Sequence, residues 1–303
     1  MKMSLSKRVV ATLGIFLIAA SIIAILPRAA KAEDPAESIT LSAVRKNYAV
    51  TAGQTLTDTL TVLNDGQTAY DFTVYATPYS VTNSAYDGNF TADKPNADAY
   101  TWIQFEKTTY HAEPRQTITI PYTINVKKDA SPGGHYGAIF AEIQPESSGA
   151  GATISIHRRV GTLIYATVAG DVHLSGQAST PVINWFQTQP PITATSSVQN
   201  TGNSDFLASV TYTVKNIFGS VKYTAQNDYE VLPQTTRDIP LSWSGASWFG
   251  LYHVSVATTV LGHVTSHDAY VLVMPVWLIL LLVLVAIGGG VYAFTRQVRK
   301  ARS

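Results

Sequence analysis

His263 and His267 stand four residues apart with Asp268 beside them, side chains that bind a divalent metal when the chain brings them to one point. On a helix this spacing puts both imidazoles on one face. On a strand they also share a face, but about 13 Å apart at roughly 3.3 Å per residue. A metal site therefore needs a turn at Thr265-Ser266; exposed hairpin histidines are the alternative. His157, Arg158 and Arg159 could grip a carboxylate in bidentate fashion, or form a charged strand edge that discourages pairing with other chains. Asp65 and Asp87 are the carboxylates to weigh for sugar hydrolysis, yet both fall in turn sequences, where aspartate caps backbone groups. The chain has no H-E-x-x-H, no G-x-S-x-G and no cysteine. Its sequence thus predicts a protein that is not an enzyme, with no catalytic, cofactor-binding or metal-binding residues.

Aromatic side chains offer binding rather than catalysis. Tyr79, Tyr86, Phe90, Tyr100 and Trp102 border or occupy a polar stretch over residues 82–100. Exposed aromatic faces stack on sugar rings or anchor a protein partner, so these five form the candidate ligand surface; core packing is the alternative for Trp102. The run Ser131-Pro132-Gly133-Gly134 before His135 and Tyr136 raises a different choice, between a phosphate cradle and a turn. No G-x-x-x-x-G-K motif follows it, and no helix pattern starts there. Tyr136 to Ile143 is short, aromatic and apolar, so the glycines turn the chain into a central strand.

The elements that must position these residues are strands. Thr55–Val62, Thr117–Val126 and Phe206–Val214 alternate apolar and polar residues, the signature of sheets with one face buried. Pro121 places the second of these at an edge or a bulge. No amphipathic pattern of ten residues precedes the C-terminal apolar run. The landmarks also repeat: Asn64-Asp65-Gly66 is echoed by Asn200-Thr201-Gly202, Pro114 and Pro121 by Pro233 and Pro240, and Gly134-His135-Tyr136 by Gly250-Leu251-Tyr252. N-x-G after a strand is a turn by chemistry. Two tandem immunoglobulin-like β-sandwiches, residues 33–174 and 175–270, account for this order. The first carries about 17 extra residues, placed within 82–100, and Glu146 to Gly151 looks like a hairpin tip.

The ends set the compartment. Lys2, Lys7 and Arg8 precede an apolar run, and Ala30-Lys31-Ala32 offers small residues at Ala30 and Ala32 for cleavage of a signal peptide over residues 1–32; an uncleaved anchor is the alternative. Residues 271–295 carry no charge and are long enough for a transmembrane helix. Trp277 and Tyr292 stand near its ends as interfacial anchors. Arg296, Arg299, Lys300 and Arg302 make a short basic tail over 296–303, which the positive-inside rule places in the cytoplasm. Between the apolar segments twenty acidic residues face twelve basic ones, a net charge of −8. This is the wrong sign for nucleic acid. The lack of cysteine fits a bacterial envelope.

Residues 38–173 resemble the N-terminal domain of the WxL-interacting protein family of bacterial surface proteins. The resemblance lies in Tyr48-Ala49-Val50-Thr51-Ala52-Gly53-Gln54, Thr61-Val62-Leu63-Asn64, Trp102-Ile103, Asp129 to Ile139, and Arg159-Val160-Gly161. It implies a signal peptide, two immunoglobulin-like domains, one span and a basic tail, with a first domain associated with peptidoglycan and a second with host or partner proteins. The reading is a non-catalytic, membrane-anchored adhesion or scaffold protein of the cell surface, binding cell-wall peptidoglycan or another surface protein. The alternatives are an accessory subunit of a membrane complex and a pilus-chaperone-like strand donor.

Overall fold

The computed structural model describes residues 38–91, 94–144 and 158–301. Ala30 and Ala32, the tip from Glu146 to Gly151, His157 and Arg302 lie outside the described residues. The described residues form an all-β body of two immunoglobulin-like sandwiches followed by one C-terminal helix.

The first sandwich packs two sheets. One is ordered β1 (Ile39–Leu41), β3 (Thr55–Asn64), β9 (Thr117–Asn125), β7 (Ile103–Phe105). The other is ordered β2 (Arg45–Val50), β11 (Arg159–Val168), β10 (Gly133–Ile143), β4 (Tyr70–Pro78), β8 (Thr109–Ala112). Alternate residues of each sheet, among them Leu60, Phe72, Ile120, Ile139 and Ile164, fill the space between. A small hairpin, β5 (Ser80–Val81) with β6 (Gly88–Asn89), and a 3₁₀ turn at Ala99–Trp102 occupy the extra stretch.

The second sandwich repeats the plan. β15 (Ile192–Asn200) pairs with β12 (Gly176–Ala178) and β13 (Val182–Ile183) on one side and β18 (Thr235–Trp243) on the other. The facing sheet is ordered β14 (Phe186–Gln187), β20 (His263–Val273), β19 (Gly250–Val260), β16 (Phe206–Asn216), β17 (Val221–Val231). Each five-stranded sheet carries one parallel pair at its edge, β2 with β11 and β14 with β20.

The sequence repeats have physical counterparts. Asn64 and Asn200 are both buried, and each side-chain carbonyl accepts the N–H of the glycine two residues on, at 3.0 and 2.8 Å. Each amide donates to backbone carbonyls: Asn64 to Thr68, Ala112 and Glu113, Asn200 to Ser204 and Val231. Arg115 and Gln234, after the matched prolines, both adopt positive φ, 63° and 56°. Pro240 lies on edge strand β18, and Pro121 lies one residue beyond the pairing of β9 with β7. In each case the missing N–H breaks no ladder on that side.

The C-terminal helix α1 runs Val276–Ala301. The expected span of 271–295 therefore starts too early. Val271 and Val273 are inward-facing residues of β20, paired with Tyr252 and Gly250 and fully buried. A window of apolar residues cannot separate a core strand from the helix that follows it. Val276–Val298 is apolar, long enough to cross a membrane, and unburied by the sandwiches. Trp277 and Tyr292 stand exposed on it, and its backbone continues through Arg296, Arg299 and Lys300.

Candidate functional site at the junction of the two sandwiches

The residues singled out for chemistry are placed by their strands. Thr265 and Ser266 do not turn; they continue β20 opposite Thr258 and Ala257, and the hairpin tip lies at Leu261-Gly262. His263 and His267 therefore stay one strand stretch apart. His267 Nδ1 lies 2.7 Å from the Pro181 carbonyl, and Asp268 accepts from the Ser255 hydroxyl. Among the described residues no cluster of three or more His, Cys, Asp or Glu could hold a metal ion. Arg159 lays its guanidinium over the rings of Phe140 (4.7 Å) and Phe90 (5.9 Å). Asp65 accepts from the Thr40 hydroxyl, and Asp87 from the Asn83 amide, in keeping with turn roles.

Of the five aromatics of the candidate ligand surface, Tyr79 and Trp102 are buried, while Tyr86, Phe90 and Tyr100 are half-buried. Trp102 closes the 3₁₀ turn rather than lying in a strand, and is buried in the first core beside the ring of His135, 4.8 Å away. Tyr79 is buried against Phe90 and Tyr165. Phe90 meets Phe140 edge to face at 4.9 Å. Tyr100 is half-buried, and its backbone nitrogen would stand only 2.8 Å from a Cβ on Gly137. Tyr86 reaches across to the second sandwich. Its hydroxyl lies 2.8 Å from Thr235 Oγ1 and accepts the N–H of Leu232 at 2.6 Å, while Arg237 covers its ring at 4.3 Å. The insertion is thus a clasp between domains. The reason is geometric: the rings of Tyr79, Tyr86, Phe90 and Trp102 already meet other rings or guanidinium groups.

The clasp explains the apolar run after the glycines. Along β10, Ile139, Ala141 and Ile143 enter the first core, while Tyr136, Ala138 and Phe140 join a second apolar cluster with Tyr79, Val81, Tyr165 and Leu232. That cluster lies on the outer face of the five-stranded sheet, where the end of the second sandwich meets it. A strand covered on both faces reads as a continuous apolar stretch.

Polar contacts fix the junction. The Gly134 N–H donates to the Asn203 carbonyl at 2.9 Å, and Gly133, at φ 119°, leaves room for that carbonyl where a Cβ would come within 2.3 Å. The Asn203 amide donates to the carbonyls of Pro132 and Asp171, tying the connection 169–175 to both domains. Tyr136 donates to Asp205 Oδ1 at 2.7 Å; burial pushes the Tyr136 pKa far up, so the phenol stays protonated. The Asp238 N–H donates to the Ser84 carbonyl, and Arg45 pairs with Glu230. Behind the glycines, buried His135 bonds Asp98 Oδ1 at 2.6 Å and the Ser131 carbonyl at 2.8 Å. Burial alone would depress the His135 pKa. The two hydrogen bonds outweigh it, and the net shift is upward.

Two hollows remain at this junction. One, of about 290 Å³, lies among Tyr79, Lys94, Asn96, Pro132, Asn203 and Gln234. The other, about 530 Å³ and more open, is walled by Tyr86, Tyr165 and Tyr229 with Arg45, Arg237 and Asp228. Sequence reasoning missed Arg45, Asn203, Asp205, Leu232 and Arg237, because none sits in a local pattern that marks an interdomain contact. The one available signal was the Gly133-Gly134 pair, since doubled glycine at a strand start also marks close approach of another backbone.

No protein-family model and no curated protein matches the chain. Solved structures with a similar course include the class 5 fimbriae chaperone CfaA, 13% identical with a TM-score of 0.39, covering 79% of this chain and 100% of that one. The Pseudomonas aeruginosa chaperone CupB2 is 11% identical with a TM-score of 0.38, covering 77% of this chain and 100% of its own. A PapD-like domain of human CEP192, 11% identical with a TM-score of 0.33, covers 48% of this chain and 95% of that domain.

Proposed function

We propose that this chain is a non-catalytic, membrane-anchored protein of the bacterial cell surface, an adhesion or scaffold module that binds cell-wall peptidoglycan or another surface protein. The observation that supports it best is the join between body and anchor. Two sandwiches locked together by a buried junction pass through Met274 and Pro275 alone into a long, unburied apolar helix. A body joined this closely to its anchor holds its surface near the membrane. The basic residues at the C-terminal end of the sequence, Arg296, Arg299, Lys300 and Arg302, favour a cytoplasmic C-terminus with the acidic sandwiches outside. The resemblance to the WxL-interacting proteins favours peptidoglycan as the ligand of the first sandwich.

The test is co-sedimentation of the full chain, held in lipid nanodiscs, with purified peptidoglycan sacculi, alongside pull-down from a surface-protein extract. Retention by sacculi, saturable and competed by soluble muropeptides, is the expected outcome. Loss of both retentions would sink the adhesion reading and leave the chain as a structural subunit of a membrane complex.

A further inference from the structure

Exposed aromatic residues of the second sandwich gather at the end from which α1 departs. The strand registers define that end: Ile192 faces Trp243, Asn216 faces Tyr252, and Gly250 faces Val273. Three segments cross it, residues 184–191, which include the two-residue strand β14, 217–220 and 244–249. They carry Trp185, Ile217, Phe218, Trp248 and Phe249, all exposed, with Phe218 at 86% and Trp185 at 70%. Exposed large apolar side chains gathered at one end of a domain mark an interaction site.

These tips are held firmly. Asn216 Oδ1 accepts the N–H groups of Phe218 and Ser220, and Gly219 at φ 79° closes the turn, so Phe218 stands at its apex. The Trp185 carbonyl accepts the Leu272 N–H at 2.8 Å, and the Gln187 carbonyl accepts that of Met274 at 2.9 Å. Pro275 is buried, and its carbonyl accepts the Leu278 N–H that opens the helix. Neighbouring strands lie about 4.8 Å apart, so this end of a five-stranded sheet spans roughly 20 Å around the helix start.

Charge selects the partner. None of the three segments contains an acidic residue, although the region between the apolar segments carries a net charge of −8. Lys215 and Lys222 flank the Phe218 hairpin instead. Indole and phenyl rings with adjacent lysines suit the headgroup zone of a bilayer, where the rings rest among the acyl boundary and the ammonium groups reach phosphate.

We propose that these three segments form a lipid-docking face that seats the second sandwich on the bilayer, with Trp185, Phe218, Trp248 and Phe249 in the interfacial zone. The proposal rests on α1 being a membrane span. Its consequence is a fixed tilt for both sandwiches, because the junction with the first is also buried.

The chain has no cysteine, so single-site spin labelling of the full protein in phosphatidylcholine–phosphatidylglycerol liposomes tests it. Labels go on Phe218→Cys, Trp248→Cys, Leu261→Cys at the opposite end of the sandwich, and Val285→Cys within the helix. Collision with oxygen, which favours lipid, is compared with collision with a water-soluble nickel complex. The expected result is lipid-like at 285, water-like at 261, and several-fold more oxygen-favoured at 218 and 248 than at 261. Labels at 218 and 248 that match 261 while 285 is in lipid would overturn the docking face and leave the span intact. A water-like 285 would remove both. Spin–spin broadening at 218 without oxygen preference would assign the face to a second copy and overturn lipid docking.

Discussion

Asn64 and Asn200 each hold a turn by satisfying buried backbone groups that no strand can reach. Asn200→Asp keeps the acceptor for Gly202 but removes both donated bonds, leaving the Ser204 and Val231 carbonyls without them. A loss of about 2–3 kcal/mol is expected, read from urea unfolding; a change near zero would show that the turn stands without its amide. His135 supplies a pH dependence. Its folded pKa lies above the ordinary value of 6.5, so its contribution is fully present below that pH and is lost as pH rises through the folded value. Thermal stability should therefore decline over that window, and His135→Gln should flatten the decline. His111, exposed beside Asp71, shifts in the same direction, so the decisive quantity is the difference in slope between His135→Gln and the parent. Equal slopes would remove His135 from the account.

The β5–β6 hairpin matters through one side chain. Tyr86→Phe deletes a hydroxyl that bonds Thr235 and Leu232, and should cost about 1–2 kcal/mol of junction stability. Tyr86→Ala also removes the ring beneath Arg237 and should cost more. Gly133→Ala places a Cβ against the Asn203 carbonyl at a positive φ, and should destabilise by about 2 kcal/mol or more. Hydrogen exchange is the measurement that localises these effects. Faster exchange is expected at Leu232 and Asp238 in the Tyr86 variants and at Gly134 in the Gly133 variant, with β3 and β16 unchanged. The alternating strands β3, β9 and β16 were legible in the sequence because each buries a single face. The hairpin was legible only as a polar insertion, since what covers Tyr86 is 146 residues or more away along the chain.

Across the whole molecule, the apolar cluster of Tyr79, Tyr136, Phe140, Tyr165 and Leu232 couples the sandwiches. The parent should show one calorimetric transition for both. A Tyr86→Ala, Tyr136→Phe double variant, lacking the clasp ring and the Asp205 bond, should split it into two. A single transition in the double variant would mean that the remaining contacts suffice. The body also constrains the anchor. With β20 ending at Val273 and the helix beginning at Val276, the helix starts at the same end of the sheet as the exposed turn around Phe218.

The sequence by itself determined the strand composition, the twofold repeat and the presence of a C-terminal helix able to span. Each of these depends on periodicity or composition within a short window, which burial of one face or of a whole helix imposes directly. Tertiary structure decided where the first sandwich's aromatic residues point, where the last strand gives way to the helix, and what the doubled glycines admit. Those outcomes depend on surfaces far apart in the chain meeting one another. Val271 and Val276 look alike in sequence, but one is enclosed by a facing sheet and the other is left open along a helix. Tyr86 and Phe218 are both aromatic residues in turns; the second sandwich covers the first, and the second stands exposed.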